Sequence, residues 1–306
     1  MREARRRGIP SVTTVVGWDN TSSHGLPGAF VDYINVWSEA QKKELIDGVD
    51  WPPERIHIGG MPLYDGYISK KWLISKKKYY SMHGLDPGKK LIAFAASTLS
   101  VTPNYHLIEN LVKLVNEGKL DYPAQLLIRL HPNHYKKHPH FREEAEAVRS
   151  LIGKNKNVYI VEPAEVPGGL ERYSGEDYPE KGSMLAHCDI LVTAYSTMVV
   201  EAMLHDTPVI SACIDSPAGW PGKYWAPMHT IPTWPTARRF SKIKAGRLAL
   251  TVDELRQHIN NYLADPQLDA ENRHQFIKQE LTFLNGEATQ CTVDYIWALA
   301  DGDQNQ

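Results

Sequence analysis

Short apolar runs rich in β-branched residues alternate along the chain with apolar positions at three- and four-residue spacing. That alternation of periods predicts parallel βαβ units and an α/β fold. SVTTVVGW from Ser11 and YINVWS from Tyr33 read as strands, the second followed by a short helix over EAQKKELID. RIHIGG from Arg55 reads as a third short strand ending in glycines. The stretch MPLYDGYISKKWLISKKKYYSMHGLDPGKK is polar, lysine-rich and bounded by the turn Asp86-Pro87-Gly88, and reads as a connection between two lobes.

A second series begins at Leu91, where LIAFAA is a buried strand ending on Ser97 and Thr98. YHLIENLVKLVNEG from Tyr105 has helical apolar spacing and closes on Gly118. AQLLIRL (strand), FREEAEAVRSLI (helix) and NVYIV (strand) follow, then a polar loop from Pro163 to Gly182 and a short helix. DILVTA (strand), a helix from about Thr197 to His205 and PVISA (strand) complete the series. Five strands with crossover helices make one complete doubly wound lobe, whereas the three strands before Lys70 make about half of one. The remainder reads as the helices VDELRQHINNYLA, AENRHQFIKQELTFL and EATQCTVDYIWALA with no strand between them.

Length and composition fit this division. At roughly 150 residues per domain, 306 residues predict about two domains, and 42% hydrophobic with 23% charged residues is ordinary globular composition. Lys and Arg number 34 against 36 Asp and Glu, a formal charge of −2, which argues against nucleic acid as the partner. The three cysteines Cys188, Cys213 and Cys291 are too few and too scattered for a disulfide framework or a thiolate zinc site, and fit a reducing compartment. No run reaches the eighteen or so apolar residues of a membrane span, and MREARRRGIP has charges with no apolar stretch behind them. A cytoplasmic protein is expected, with contact at a membrane surface left open.

Three clusters carry candidate chemistry. In DILVTAYSTMVVEAMLHDTPVIS a strand ends at Ala194 and a helix begins near Thr197. The hydroxyls of Ser196 and Thr197 and the open N–H groups of the first helical turn then converge on one point, as a phosphate site requires. Glu201 shares a helix face with Thr197 and is placed to accept from sugar hydroxyls. The same residues also suit a plain N-cap and a favourable first-turn charge. In LLIRLHPNHYKKHPH, Arg129 and His131 stand at the carboxyl end of a strand, the edge where open α/β sheets bind ligands. His134, His138 and His140 read as an exposed basic loop rather than a zinc site, because Pro132 and Pro139 interrupt any helix that would align them and no acidic ligand is interleaved. In GWDNTSSHG, Asp19 and His24 lie in a loop after a strand and are candidate general bases, although Asp and Asn are also turn formers. Trp220 to Phe240 interleaves tryptophans with Arg238 and Arg239, which suits stacking on a base or sugar, an anionic membrane face, or a packed loop equally. GLDPGKK is one residue short of a phosphate-binding P-loop and precedes a strand, and no dinucleotide, nucleophile-elbow or zinc-protease motif is found.

Taken in order, G-I-P…W-D-N-T-S-S-H-G, V-W-S-E-A-Q-K-K-E-L, R-I-H-I-G-G-M-P-L-Y-D, R-L-H-P-N, D-I-L-V-T-A-Y-S-T-M-V-V-E-A…P-V-I and N-G-E-A-T-Q…V-D-Y-I resemble a GT-B fold glycosyltransferase. The group resembled contains the CDP-glycerol glycerophosphotransferases, with the non-hydrolysing UDP-N-acetylglucosamine 2-epimerases as cousins. The resemblance implies two Rossmann-like lobes. Residues 1–68 would be an incomplete acceptor lobe, 69–286 a complete donor lobe, and 287–306 a C-terminal helix crossing back. It also implies an upstream part of the first lobe that this sequence lacks. By the resemblance, Ser196 and Thr197 hold a diphosphate, Glu201 the ribose, and Arg129 and His131 the phosphate side. Ser97 and Thr98 lie near the diphosphate, and the backbone after Val161 borders the base. Asp19 or His24 deprotonates the acceptor.

The expected activity is metal-independent transfer, from a UDP- or CDP-type donor, of a glycosyl or polyol-phosphate group to a hydroxyl on a carbohydrate or lipid-linked acceptor. Surface polysaccharide or glycoconjugate synthesis at the inner membrane face is the expected setting, with no cofactor beyond the donor. Thr13 and Val15 stand where an epimerase would carry its His and Glu, which counts against epimerase chemistry. Thr193, eight residues before Glu201, breaks the E-x7-E pattern of many retaining enzymes and favours inversion. The alternative is a nucleotide-binding subunit without activity of its own, completed by a partner chain or a second copy.

Overall fold

The computed structural model describes residues 2–22, 31–97, 104–135, 139–162, 177–217 and 227–301. After a short helix α1 (Arg2–Arg6), the first lobe holds β1 (Val12–Thr14), β2 (Tyr33–Val36), helix α2 (Glu39–Val49) and β3 (Ile56–Ile58). Its three strands are parallel in the order β1-β2-β3. The connection to the second lobe carries helices α3 (Tyr64–Ile68) and α4 (Lys76–His83). It is not the polar tether its lysines predict. Tyr64, Tyr67, Tyr79 and Tyr80 are all buried in the same core as Trp18, Trp37 and the strands of both lobes, while Lys70, Lys71, Lys76, Lys77 and Lys78 stay exposed.

The second lobe runs β4 (Lys90–Ala95), α5 (Tyr105–Asn116), β5 (Ala124–Arg129), α6 (Pro139–Gly153), β6 (Val158–Val161), α7 (Asp177–His187), β7 (Ile190–Thr193), α8 (Thr197–Met203) and β8 (Val209–Ala212). Then follow α9 (Pro235–Ile243), β9 (Arg247–Ala249), α10 (Val252–Ala264), α11 (Ala270–Glu280) and α12 (Ala288–Ala300). The sheet is fully parallel in the order β6-β5-β4-β7-β8-β9, a doubly wound arrangement whose winding reverses between β4 and β7. Strands β5, β7 and β8 are buried at every position, which is why they read as continuous apolar runs. The sixth strand, β9, is absent from the sequence reading; it is three residues long and only Ala249 is buried.

Helix α12 packs on the first lobe. Asn35 Nδ2 of β2 donates to Thr292 Oγ1 at 3.2 Å, and Tyr295 stacks on His57 of β3 at 3.9 Å. Asp65 of α3 accepts the N–H groups of Ala288 and Thr289 at 3.2 and 2.7 Å, so the two passages of the chain between the lobes are bonded to each other. Gly60, just after β3, lies at φ +79° with Phe283 and Ala288 where a Cβ would stand, at 2.8 and 2.9 Å. Only glycine permits both that backbone and that approach.

Candidate functional site

The winding reversal fixes where the candidate site lies. Ala95 is in register with Thr193, so Ser97 and Ser196 follow two and three residues beyond paired positions at the carboxyl edge of adjacent strands. Thr193 Oγ1 donates to the Ala95 carbonyl at 3.0 Å and locks that register. Ser97 is positioned through its backbone: its N–H donates to Asn104 Oδ1 at 2.7 Å, and its carbonyl accepts from Asn104 Nδ2 at 3.0 Å. Asn104 and Tyr105 in turn donate their N–H groups to the buried carboxylate of Glu144, at 2.5 and 2.9 Å.

His134 completes this network. It is 2% exposed, with Nε2 at 2.7 Å from Glu144 and Nδ1 at 2.9 Å from the His131 carbonyl. The expected exposed basic loop is therefore wrong for His134, which faces oxygen acceptors on both ring nitrogens and ties the turn after β5 to helix α6. The side chains of His138 and His140 lie outside the described residues, as do Thr98, His24 and the loop after Glu162 up to residue 176. Sequence reading missed Asn104 and Glu144. Asn104 directly before a helix was the available signal, whereas Glu144 is one acidic residue among several in its helix.

Helix α8 begins as expected after the extended Ser196 (φ −151°). The Ser196 hydroxyl forms no capping bond and is buried without a hydrogen-bond partner. Thr197 Oγ1 accepts the backbone N–H of Trp18 at 3.2 Å, which brings the loop after β1 against the start of α8. Glu201 departs from expectation. It is 3% exposed, paired with Lys181 at 2.9 Å and accepting from Tyr67 at 3.4 Å. Its carboxylate is thus bonded inside the protein, between α7, α8 and α3. Burial, followed by the Glu201 charge, raises the Tyr67 pKa and keeps its phenol a donor.

Arg129 departs in the same way. Its guanidinium is 4% exposed as a residue and clamped between Asp177, at 2.5 Å, and Glu180. Burial alone would lower its pKa, but the two carboxylates outweigh that and raise it. Glu180 also accepts from Tyr79 Oη at 2.7 Å, so Arg129 fastens the start of α7 to the connection between the lobes. The strand-end position was read correctly, but partners 48 and 51 residues downstream are invisible to spacing. His131 is half-buried at the same edge.

On the opposing lobe, Gly17 to Ser22 forms tight turns, with Gly17 N–H on Asn20 Oδ1 at 2.7 Å and Ser22 N–H on the Asp19 carbonyl at 3.1 Å. Trp18 is buried, its indole N–H donating to Glu280 of α11 at 2.8 Å. Asp19 is half-buried beside it. A groove of about 640 Å³ runs from this loop between α2 and α9, past Asn20, Glu44 and Arg239. Arg239, expected among stacking residues, is instead ion-paired with Glu44 and Glu280, while Arg238 is exposed. Among the described residues, no group of three His, Cys, Asp or Glu is placed to hold a metal ion, and no helix is long and apolar enough to cross a membrane.

No protein-family model matches the chain, and no curated protein sequence does either. Solved structures do match in fold. The wall teichoic acid polymerase TagF superposes with a TM-score of 0.57 at 15% identity over 97% of this chain and 70% of its own. The S. aureus MnaA structure with UDP gives 0.62 at 14% identity, over 97% and 71%. The UDP-GlcNAc 2-epimerase from Neisseria meningitidis bound to UDP-GlcNAc gives 0.51 at 15% identity, over 87% and 61%. The chain therefore has an α/β, GT-B-like fold of two Rossmann-like lobes.

Proposed function

We propose that this protein is an enzyme that transfers a glycosyl or polyol-phosphate group from a UDP- or CDP-type donor to a hydroxyl acceptor in the synthesis of a surface glycoconjugate. The observation that carries the reading is the meeting of Trp18 with Thr197: the loop after β1 closes directly on the edge where the six-stranded sheet reverses its winding. Ligands of doubly wound sheets bind at that reversal, and similarly folded proteins are described with UDP, UDP-GlcNAc and CDPG bound or soaked in.

In this reading the diphosphate lies over Ser97, Thr98, Ser196 and Thr197, with His131 at its flank. The Ser196 hydroxyl, which has no partner of its own, donates to a phosphate oxygen. Asp19 or His24 takes the acceptor proton as the acceptor oxygen forms its bond to the anomeric carbon or to phosphorus. The bond to the departing nucleoside phosphate breaks, and its growing negative charge falls on hydroxyls and amides already in place. No metal is required by this arrangement of donors. Arg129 and Glu201 act at a distance, holding α7 and α8 in position. A thermal-shift panel of UDP, CDP, GDP and ADP tests the reading: stabilisation by one or two of the four supports it, and none would remove it.

A second reading, a nucleotide-binding subunit completed by a partner chain or a second copy, is favoured by one observation. Val12 on the edge strand β1, Val16 in the loop after it and Trp297 on helix α12 are exposed at 36%, 66% and 64%, a liability that proteins ordinarily cover. A stable monomer in sedimentation that turns over a nucleotide-activated donor unaided would exclude it.

A further inference from the structure

A second cavity, of about 500 Å³, lies at the far end of α8 from the cleft, behind the segment that joins the lobes. One wall is the connection after α3, with Tyr67 and Lys70; the other is formed by His187 at the end of α7, His205 after α8, and His274 and Lys278 of α11. Five basic side chains thus line one space, His187 with its Nε2 at 2.6 Å from the Ile74 carbonyl. The single carboxylate on its wall, Asp206, is bonded to Arg273 Nε at 2.8 Å and lies 3.7 Å from His274 Nε2. Neither Lys70 nor Lys278 forms an ion pair among the described residues.

His205 gives an independent sign. Its Nε2 is buried with no hydrogen-bond partner, although its ring packs edge-on against Tyr67 with centroids 5.6 Å apart. A buried polar nitrogen without a partner is costly and rare in a folded protein. Burial, and then the charges of His187 and Lys70, push the His205 pKa down to about 4, as a region of uncompensated positive potential would.

We infer that this cavity is a binding site for a small phosphate-bearing anion, distinct from the donor cleft, with Lys70 and Lys278 supplying charge and His205 a hydrogen bond. The seven residues of α8 separate the two places by roughly 10 Å at 1.5 Å per residue. An anion here touches the segment joining the lobes on one side and the second lobe on the other, so its occupancy bears on how the two lobes are held together. The inference stands without the reading of the cleft.

Calorimetry on the full chain tests it, with inorganic pyrophosphate and inorganic phosphate as probes. Wild type is expected to bind pyrophosphate, and to do so equally well in saturating UDP or CDP. The double variant Lys70→Ala with Lys278→Ala, two exposed residues, is expected to bind pyrophosphate about tenfold or more weakly with an unchanged unliganded unfolding midpoint. Affinity for UDP and CDP is expected to be untouched. Absence of pyrophosphate binding to wild type overturns the inference, as does binding that UDP or CDP abolishes while the double variant leaves it intact, which would place the anion in the cleft.

Discussion

Lys181 of α7 and Glu201 of α8 form an ion pair at 2.9 Å with side chains 14% and 4% exposed, and Tyr67 from the first connection donates to the same carboxylate. The residue expected to read a ribose is the point at which three elements from both sides of the molecule are joined. Removing one partner of a buried pair leaves the other charged and unpaired, at a cost of about 3–5 kcal/mol. Glu201→Ala is therefore expected to lower the urea unfolding free energy by about that amount. Glu201→Gln, which retains hydrogen bonds to Lys181 and Tyr67, should lose less. Nucleotide affinity of Glu201→Gln, measured by calorimetry where it remains folded, is expected to stay within about twofold of wild type.

Ser196 predicts the opposite separation. Its hydroxyl is buried and bonded to nothing, so Ser196→Ala sacrifices no internal hydrogen bond. Unfolding of the free protein should be unchanged within about 0.5 kcal/mol. Affinity for the nucleoside diphosphate that scores best in the panel should fall by about 1–3 kcal/mol, the range for hydrogen bonds to charged groups. Equal affinity in variant and wild type would take Ser196 out of the site.

Asn104 holds Ser97 through both backbone polar groups and leans on Glu144. Asn104→Ala should cost about 1–3 kcal/mol for the groups left unsatisfied. The Ser97 amide, whose hydrogen bond runs to that side chain, should exchange with solvent at least about tenfold faster. Hydrogen exchange monitored by NMR reads both the site and its spread.

Acid should weaken the fold through its buried histidines. His205 titrates near 4 when folded, against an ordinary 6.5, because burial and the neighbouring His187 and Lys70 disfavour its charge. Burial also lowers His57 and His258. Between pH 6.5 and 4 the unfolded chain takes up a proton that folded His205 refuses, so stability falls as pH falls and the loss is complete below about 4. His205 alone contributes at most about 3 kcal/mol to this loss. In urea titrations from pH 7.5 to 4.5, His205→Asn should show a shallower decline than wild type. Parallel curves would mean that other groups carry the acid sensitivity.

The fold was far more legible than the site. Eight of the nine described strands announce themselves in the sequence, β4, β5, β7 and β8 most plainly, because a parallel sheet covered on both faces leaves little room there for polar positions. The exception, β9, is the three-residue segment Arg247–Ala249, which opens on a charged side chain. Tyr64, Tyr67, Tyr79 and Tyr80 were masked by the lysines that lie between the two pairs, although Tyr64 and Tyr67 are three residues apart in one helix. Arg129, His134 and Glu201 show where local reading ends. Each stands at a position where chemistry is common, and what each does is decided by Glu180, Glu144 and Lys181, residues brought near only by the crossover helices.

The bonding of Asn35 to Thr292 and of Asp65 to the start of α12 orders events during synthesis. Helix α12 follows the whole second lobe in the sequence, yet it covers strands that are translated before that lobe. The first lobe therefore waits, half-dressed, while more than two hundred residues are translated and folded. A gene cut between the lobes would not yield two independent halves, since the piece that finishes the first is encoded after the second.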